Sequence, residues 1–204
     1  MNDVASDGIL TREKILEAAE EVLRRFGPSK ATVVDVARAL GVSHGSVYRH
    51  FPSKAALRDA VLERWLHRIT EPLEEIVRGR QPAPERLRLW LEQLMAVKRR
   101  RALNEPELFA TYISLAGDAR EVTKAHVDAL IDQATRIIAD GVKSGTIMAK
   151  DAGVAARSVF DATARFHNPA HAGEWADPAI DQAFEGVWAL LKAALTARSG
   201  PKRR

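Results

Sequence analysis

The sequence predicts an all-α fold: an N-terminal three-helix helix-turn-helix domain, joined through a fourth helix to a C-terminal helical domain, with about nine helices in total. Three observations predict it. Apolar residues recur at helical spacing from Ile15 to Phe26. The stretch from Thr32 to Lys54 reads as two short helices around a glycine corner. After residue 70 there is no strand-like alternation, and proline and glycine punctuate one helical pattern after another.

Composition narrows the function classes. The 204 residues, 46% apolar and 28% charged, can bury a sizeable core and have globular-protein proportions. No apolar run approaches the ~18 residues of a membrane span, so no membrane partner is expected. Met1 to Gly8 carries two acids and no apolar core, which does not read as a signal peptide. Zero cysteines exclude disulfides, thiolate zinc sites and thiol catalysis, and fit a reducing cytoplasm, the expected location. The net charge of +4 is unevenly placed: residues 11–70 hold 11 bases against 7 acids, residues 71–196 hold 16 against 18. A basic front end on an acidic-leaning body suits a chain that offers one face to a polyanion.

The first helix runs from a Thr11 cap through Ile15, Leu16, Ala19, Val22, Leu23 and Phe26, and Gly27-Pro28 ends it. Thr32 caps the second, with Asp35 placed to answer it and Val33, Val36, Ala37 and Leu40 on its stripe. Gly41 supplies the corner. Ser43 caps the third helix, which has Val47 inward, and Pro52 stops it. Its other side carries Ser43, His44, Ser46, Tyr48, Arg49 and His50. Hydroxyls, imidazoles, a phenol and a guanidinium on one short helix suit base edges and phosphates, and the second helix of such a hairpin enters a major groove. A polar hairpin with ordinary solvated charge is the plainer alternative.

The residues Thr32-x-x-Asp35-Val36-Ala37, then Gly41-Val42-Ser43-x-Gly45-Ser46-Val47-Tyr48-Arg49-His50-Phe51-x-Ser53-Lys54-x-x-Leu57, resemble the signature of the TetR family of bacterial transcriptional regulators. The resemblance covers roughly residues 10 to 70, and beyond them only the helical layout is similar. It implies a homodimeric regulator, a repressor, that binds a double-stranded palindromic operator and is released by a small-molecule effector. By this resemblance Ser43, His44, Gly45, Ser46 and Arg49 face bases, with a phosphate contact as the alternative for Arg49, while Tyr48, His50, Lys54 and Thr32 meet phosphates. Gly45, without a side chain, would let the backbone come close, and His50 packing under Phe51 is its alternative. Val34 departs from the polar or basic residue many relatives carry, which puts base contact from the second helix in doubt.

The expected domains are residues 10–55 as the DNA reader, the helix over 53–70 as connector, residues 71–197 as an effector-binding and dimerisation domain, and disordered tails at 1–9 and 198–204. Ser53 caps the connecting helix, with Leu57, Val61, Leu62, Trp65, Leu66 and Ile69 inward. Pro84 opens the next, with Leu87, Trp90, Leu91, Leu94 and Met95 as its stripe. The run Lys98 to Arg101 reads as its solvated, dipole-matched end. A short helix from Pro106 carries Phe109 and Tyr112. A long one to about Lys143 carries His126 and Gln133 as polar intruders on an apolar face. Trp90, Met95, Phe109, Tyr112, His126, Gln133, Phe166 and His167 have the makeup of an effector cavity, largely apolar with a few polar anchors. A histidine satisfied by a carbonyl is the alternative for each polar member.

Two last helices, over 151–166 and 177–197, carry Ala155, Val159, Ala162, Phe184, Val187, Trp188 and Leu191 as a dimer seam. His167, His171 and Glu174 lie within metal-ligand range in sequence, but Pro169 breaks helical spacing between the histidines, and the expectation is no metal and no cofactor. An enzyme is not expected either, for want of a Gly-rich phosphate loop, a strand-nucleophile turn or a helical His-Glu-x-x-His. The remaining alternatives are an architectural DNA binder without sequence preference, helped by the basic tail at 201–204, and a helical enzyme carrying a DNA reader.

Overall fold

A computed structural model describes residues 9–196. The tails, apart from Ile9, and the basic stretch at 201–204 lie outside the described residues. The described elements are α1 (Arg12–Lys30), α2 (Val33–Ala39), α3 (His44–Tyr48), α4 (Lys54–Thr70), α5 (Leu73–Val77), α6 (Ala83–Asn104), α7 (Pro106–Asp118), α8 (Arg120–Ser144), α9 (Ala152–Ala162), α10 (Ala164–His167), a 3-10 helix (Pro169–Glu174) and α11 (Ala179–Thr196). The all-α reading holds. Eleven α-helices replace the nine expected, because α5 and α10 are too short to show a period in sequence. No described helix is long and apolar enough to cross a membrane.

These elements form two compact units, residues up to 65 with 107–122, and residues 66–106 with 123 onward. In the first, Thr11 caps α1 by accepting from the Lys14 amide, and Gly27, at φ +71°, breaks the helix after Phe26. Ile15, Leu16, Ala19, Val22 and Leu23 are buried where α1 packs on α2, as are Val33, Val36 and Ala37 of α2, and Val47 of α3 is buried where α3 packs on α2. Arg64 of α4 reaches back to Glu13, Glu17 and Glu20 of α1 at 2.9, 3.5 and 3.4 Å. Trp65 lies face to face on Tyr112, with ring centroids 4.3 Å apart, and Phe109 is another aromatic neighbour at 6.3 Å.

The second unit is organised by α6 and α8, which run antiparallel. A Cβ at Gly141 would meet that of Ala83 at 2.9 Å, Arg86 pairs with Asp140 at 3.0 Å, and Trp90 bonds Gln133 at 2.9 Å. Numbers rise on one helix as they fall on the other. Glu74 of α5 is bound by Arg136 and by the Gln133 amide, and these bonds hold its carboxyl below the ordinary range. Asp151 caps α9 through the Val154 amide, and Asp177 caps α11 through that of Ala179.

One sequence expectation holds only in part. Arg101 stands in the last turn of α6, but the helix continues to Asn104 and the run is not solvated throughout. Lys98 follows Leu91, Leu94 and Met95 on the buried stripe and is 7% exposed, and Arg99 pairs with Asp181 of α11 at 2.8 Å.

Candidate nucleic-acid interface

The hairpin of α2 and α3 is locked by local chemistry. Thr32 and Asp35 form a full capping box: the Thr32 hydroxyl accepts from the Asp35 amide at 3.2 Å, and the Thr32 amide donates to the Asp35 carboxylate at 3.1 Å. The hydroxyl also donates to that carboxylate at 2.6 Å, which with the amide bond holds the Asp35 carboxyl below its ordinary range. At the corner, Gly41 sits at φ +66°, its amide bonds the Arg38 carbonyl, and the Val42 amide bonds that of Ala37. This paired closure needs a left-handed residue, which glycine adopts without steric cost.

Ser43 caps α3 by accepting from the Ser46 amide at 3.2 Å, and its hydroxyl lies 3.0 Å from that of Ser46. Arg49 donates to the Ser46 hydroxyl at 3.1 Å. These three polar groups form a hydrogen-bonded row along one side of the helix. His44 and Tyr48, one turn apart, meet edge to face with centroids 6.3 Å apart. Val47 is fully buried and fixes the rotation of α3, so that Ser43, His44, Gly45, Tyr48 and Arg49 are exposed and Ser46 is half-exposed. Gly45 has no internal need to be glycine: a Cβ there would meet only the Ser43 hydroxyl, at 3.8 Å.

The residues read as phosphate contacts are set differently. Tyr48 is 42% exposed, and Lys54, half-buried, begins α4, where Ser53 caps the helix through the Ala56 amide at 3.0 Å. Thr32 is exposed, yet its hydroxyl proton is committed to Asp35. His50 is half-buried, and Arg12 rather than His50 covers the Phe51 ring, its guanidinium 4.2 Å from the centroid. The same arginine donates to the His50 carbonyl at 3.4 Å. Val34 is 51% exposed.

The eight residues grouped as effector-cavity candidates divide between the units. Phe109 and Tyr112 belong to the first, and Trp90, Met95, His126, Gln133, Phe166 and His167 to the second. Gln133 is fully bonded, accepting from the Trp90 indole and donating to the Thr70 carbonyl and to Glu74. Phe166 meets Phe184 edge to face at 5.4 Å. His167, buried, bonds the Phe160 carbonyl at 3.1 Å through Nε2 and lies on the Phe160 ring. His126 has a buried Nε2 with no hydrogen-bond partner among the described residues. Burial first, and the nearby charge of Lys98 second, push both histidines down to about 3.

Of the seven residues read as a dimer seam, Val159, Phe184 and Trp188 are buried inside their own unit, Ala155, Val187 and Leu191 are half-buried, and Ala162 is exposed. The most apolar face of α11 is thus spent within the chain. Ala162 thus faces outward as read, and what sequence reasoning passed over are the other outward residues: Val154 and Ser158 on α9, and Gly186 and Leu190 on α11, with Leu190 75% exposed. The 3-10 segment also separates its histidines. His171 and Arg165 both bond Glu174 at 2.8 Å, while His167 is turned inward.

Comparison with known proteins places these features. Residues 15–61 match the family model for bacterial regulatory proteins of the tetR family, and residues 83–188 match the tetracyclin repressor-like C-terminal domain. The nucleoid occlusion factor SlmA of Vibrio atlanticus is 33% identical over 90 residues, which span 44% of this chain and 46% of that protein. The chain thus matches about half the length of that curated relative. Among solved structures, a Rhodococcus sp. RHA1 protein of unknown function aligns with a TM-score of 0.70 at 24% identity, covering 96% of this chain and all of the other. Thermus thermophilus FadR, a TetR-family repressor in complex with lauroyl-CoA, aligns at 0.61 and 22% identity over 95% of this chain and all of the other. At these identities the structures speak for the fold.

Proposed function

The chain belongs to the TetR family of bacterial regulatory proteins, and from that premise we propose that it is a homodimeric DNA-binding transcriptional repressor, released from a palindromic operator by a small-molecule effector. The observation that carries this reading is α3. Ser43, His44, Gly45, Tyr48 and Arg49 stand in solvent on a helix whose rotation is fixed by one buried valine and whose start is capped. In this reading the first turn of α3 enters a major groove, with Ser43, His44, Gly45 and Ser46 toward the bases and Arg49 beside them. Tyr48, Lys54 and His50 meet the backbone. Thr32 would do so through its exposed position, because its hydroxyl proton already serves the cap.

A single helix of this length reads few base pairs, so specificity requires two copies related by a two-fold axis over two half-sites. The outward stripe of α9 and α11 is the surface we assign to that pairing, with Ala155, Val187 and Leu191 at its margin. Val159, Phe184 and Trp188 serve by shaping the helices beneath it. The effector acts by binding the arrangement that cannot span both half-sites more tightly than the one that can. That a family neighbour is a repressor in complex with lauroyl-CoA supports a small-molecule effector.

Capture of genomic fragments by the purified chain tests the proposal. The expected result is a palindromic site retained against excess random duplex. Equal loss of all fragments to competitor would leave an architectural binder in its place, and no retention at all would remove DNA binding.

A further inference from the structure

The register of α6 against α8 assigns a ligand chemistry to the second unit. Ala83 approaches Gly141, Arg86 pairs with Asp140, and Trp90 bonds Gln133. About two turns further along each antiparallel helix, some 12 Å at 1.5 Å per residue, the same register brings Lys98 opposite His126. At the first positions Arg86 is paired through Nη1 and Nη2, with only its Nε unbonded, and Trp90 and Gln133 bond each other. At the last, neither side chain has such a partner among the described residues. Lys98 is buried, and among the described residues no carboxylate or hydrogen-bond acceptor meets its ammonium. His126 Nε2 is buried and unbonded. His167 of α10, which packs on α6, completes the group, with its own Nε2 spent on the Phe160 carbonyl.

A buried ammonium beside two imidazoles, with no acid among them, is an arrangement that costs stability unless something negative completes it. We propose that Lys98 and His126 bind the carboxylate of an organic acid, the ammonium and the imidazole N–H each serving one oxygen. This deepens the effector reading above and rests on it. Burial lowers Lys98 only to about 8, so it is cationic at neutral pH, while both histidines are held unprotonated. The site therefore carries one positive charge, which matches a monoanion rather than a phosphate dianion. His167 packs on the Phe160 ring, centroids 4.4 Å apart, and adds no second charge to the group.

Isothermal titration of the full chain with octanoate and benzoate, against octanamide and benzamide, tests the assignment without DNA. At least one carboxylate should bind, and its amide should bind about ten-fold or more weakly. Lys98→Met should abolish that preference and raise the unliganded melting temperature, because the buried charge is gone. His126→Phe, which keeps Lys98, carries the same test should Lys98→Met fold poorly. Failure of both carboxylates to bind, equal binding of the amides, or an unchanged preference in the variants would overturn the proposal. A protein that holds its operator yet ignores carboxylates fails only here, whereas one that binds carboxylates but no DNA fails the regulator reading.

Discussion

The indole N–H of Trp90 donates to the side-chain carbonyl of Gln133 at 2.9 Å, in the interior between α6 and α8. The same amide passes two bonds onward, to the Thr70 carbonyl at 3.0 Å and to Glu74 at 2.9 Å. One glutamine thereby ties the ends of α4 and α5 to the central helix pair. Replacing it with leucine keeps the volume and strands the Trp90 donor and the Thr70 acceptor. Each buried unsatisfied group costs about 1–3 kcal/mol, so Gln133→Leu should lose about 2–6 kcal/mol. Urea denaturation should show a lower midpoint at unchanged slope. A loss below about 1 kcal/mol would mean the network is not formed in solution.

Gly45 separates folding from DNA contact. It stands in a helix, where alanine is favoured over glycine by roughly 0.8–1 kcal/mol. A Cβ there meets nothing closer than 3.8 Å inside the chain. Gly45→Ala should therefore fold at least as stably as the parent while binding the operator more weakly, because the added methyl points at the groove. Denaturation and gel-shift titration read the two effects separately. Full DNA affinity in a stabilised variant would mean the α3 backbone does not approach a duplex.

Lys54 and Tyr48 should behave as backbone contacts. Lys54→Gln should weaken operator and random duplex alike and lower the salt slope by about one, as expected for one lost phosphate contact. Tyr48→Ala should weaken both without changing the slope, since a phenol carries no charge. Ser46→Ala breaks the row from Ser43 to Arg49, so it should shift sequence preference more than total affinity. An unchanged slope in Lys54→Gln would remove that lysine from the interface.

How far this site was legible in the sequence depends on the range of the interactions. Caps at Thr11, Thr32, Ser43 and Ser53, and the Gly41 corner, are contacts within a few residues, so residue type and spacing suffice to read them. Lys98 was misread because four consecutive bases look like a helix end, although it falls four residues after Leu94 and seven after Leu91. Continuing the stripe would have found it. Phe184 and Trp188 expose a deeper limit. An apolar face on α11 is plain in sequence, but whether the chain's own core or a second copy covers it depends on packing between elements distant in the chain.

Acidification should expose the buried bases. His126 and His167 are pushed down to about 3, chiefly by burial and next by Lys98, whereas in the unfolded chain they titrate near 6.5. Between those values the unfolded state takes up protons that the folded state refuses, so stability falls as pH drops through this interval. Carboxylates held low in the fold, such as Glu74, add their loss only below about 4.5, so the range from about 6.5 to 5 isolates the histidines. Lys98, lowered to about 8, works in the other direction at high pH: from about 8 to 10.5 the folded chain has shed a proton the unfolded chain still holds, and stability rises. Melting temperatures across pH should show both trends. In Lys98→Met the alkaline rise should vanish and the acid loss should shrink, because the charge facing both imidazoles is removed. A flat profile from pH 6.5 to 5 in the parent would place the histidines in water.

The outward residues of α9 and α11 make a sharp contrast with the buried faces of the same helices. Leu190 is 75% exposed, Val154 is 65% exposed, and a Cβ added at Gly186 meets nothing within 4 Å. None of these contributes to the core of the single chain, so charging one of them should leave the fold intact. Trp188, 4% exposed one turn from Phe184, is the opposite case. If two copies pair through these outward residues, Leu190→Glu should sediment as a monomer with an unchanged helical spectrum and lose cooperative binding to a palindrome, while each half-site is still bound weakly. Trp188→Glu should instead unfold the unit, since a buried charge without a partner costs several kcal/mol. A Leu190→Glu protein that remains dimeric would move the pairing surface elsewhere on the chain.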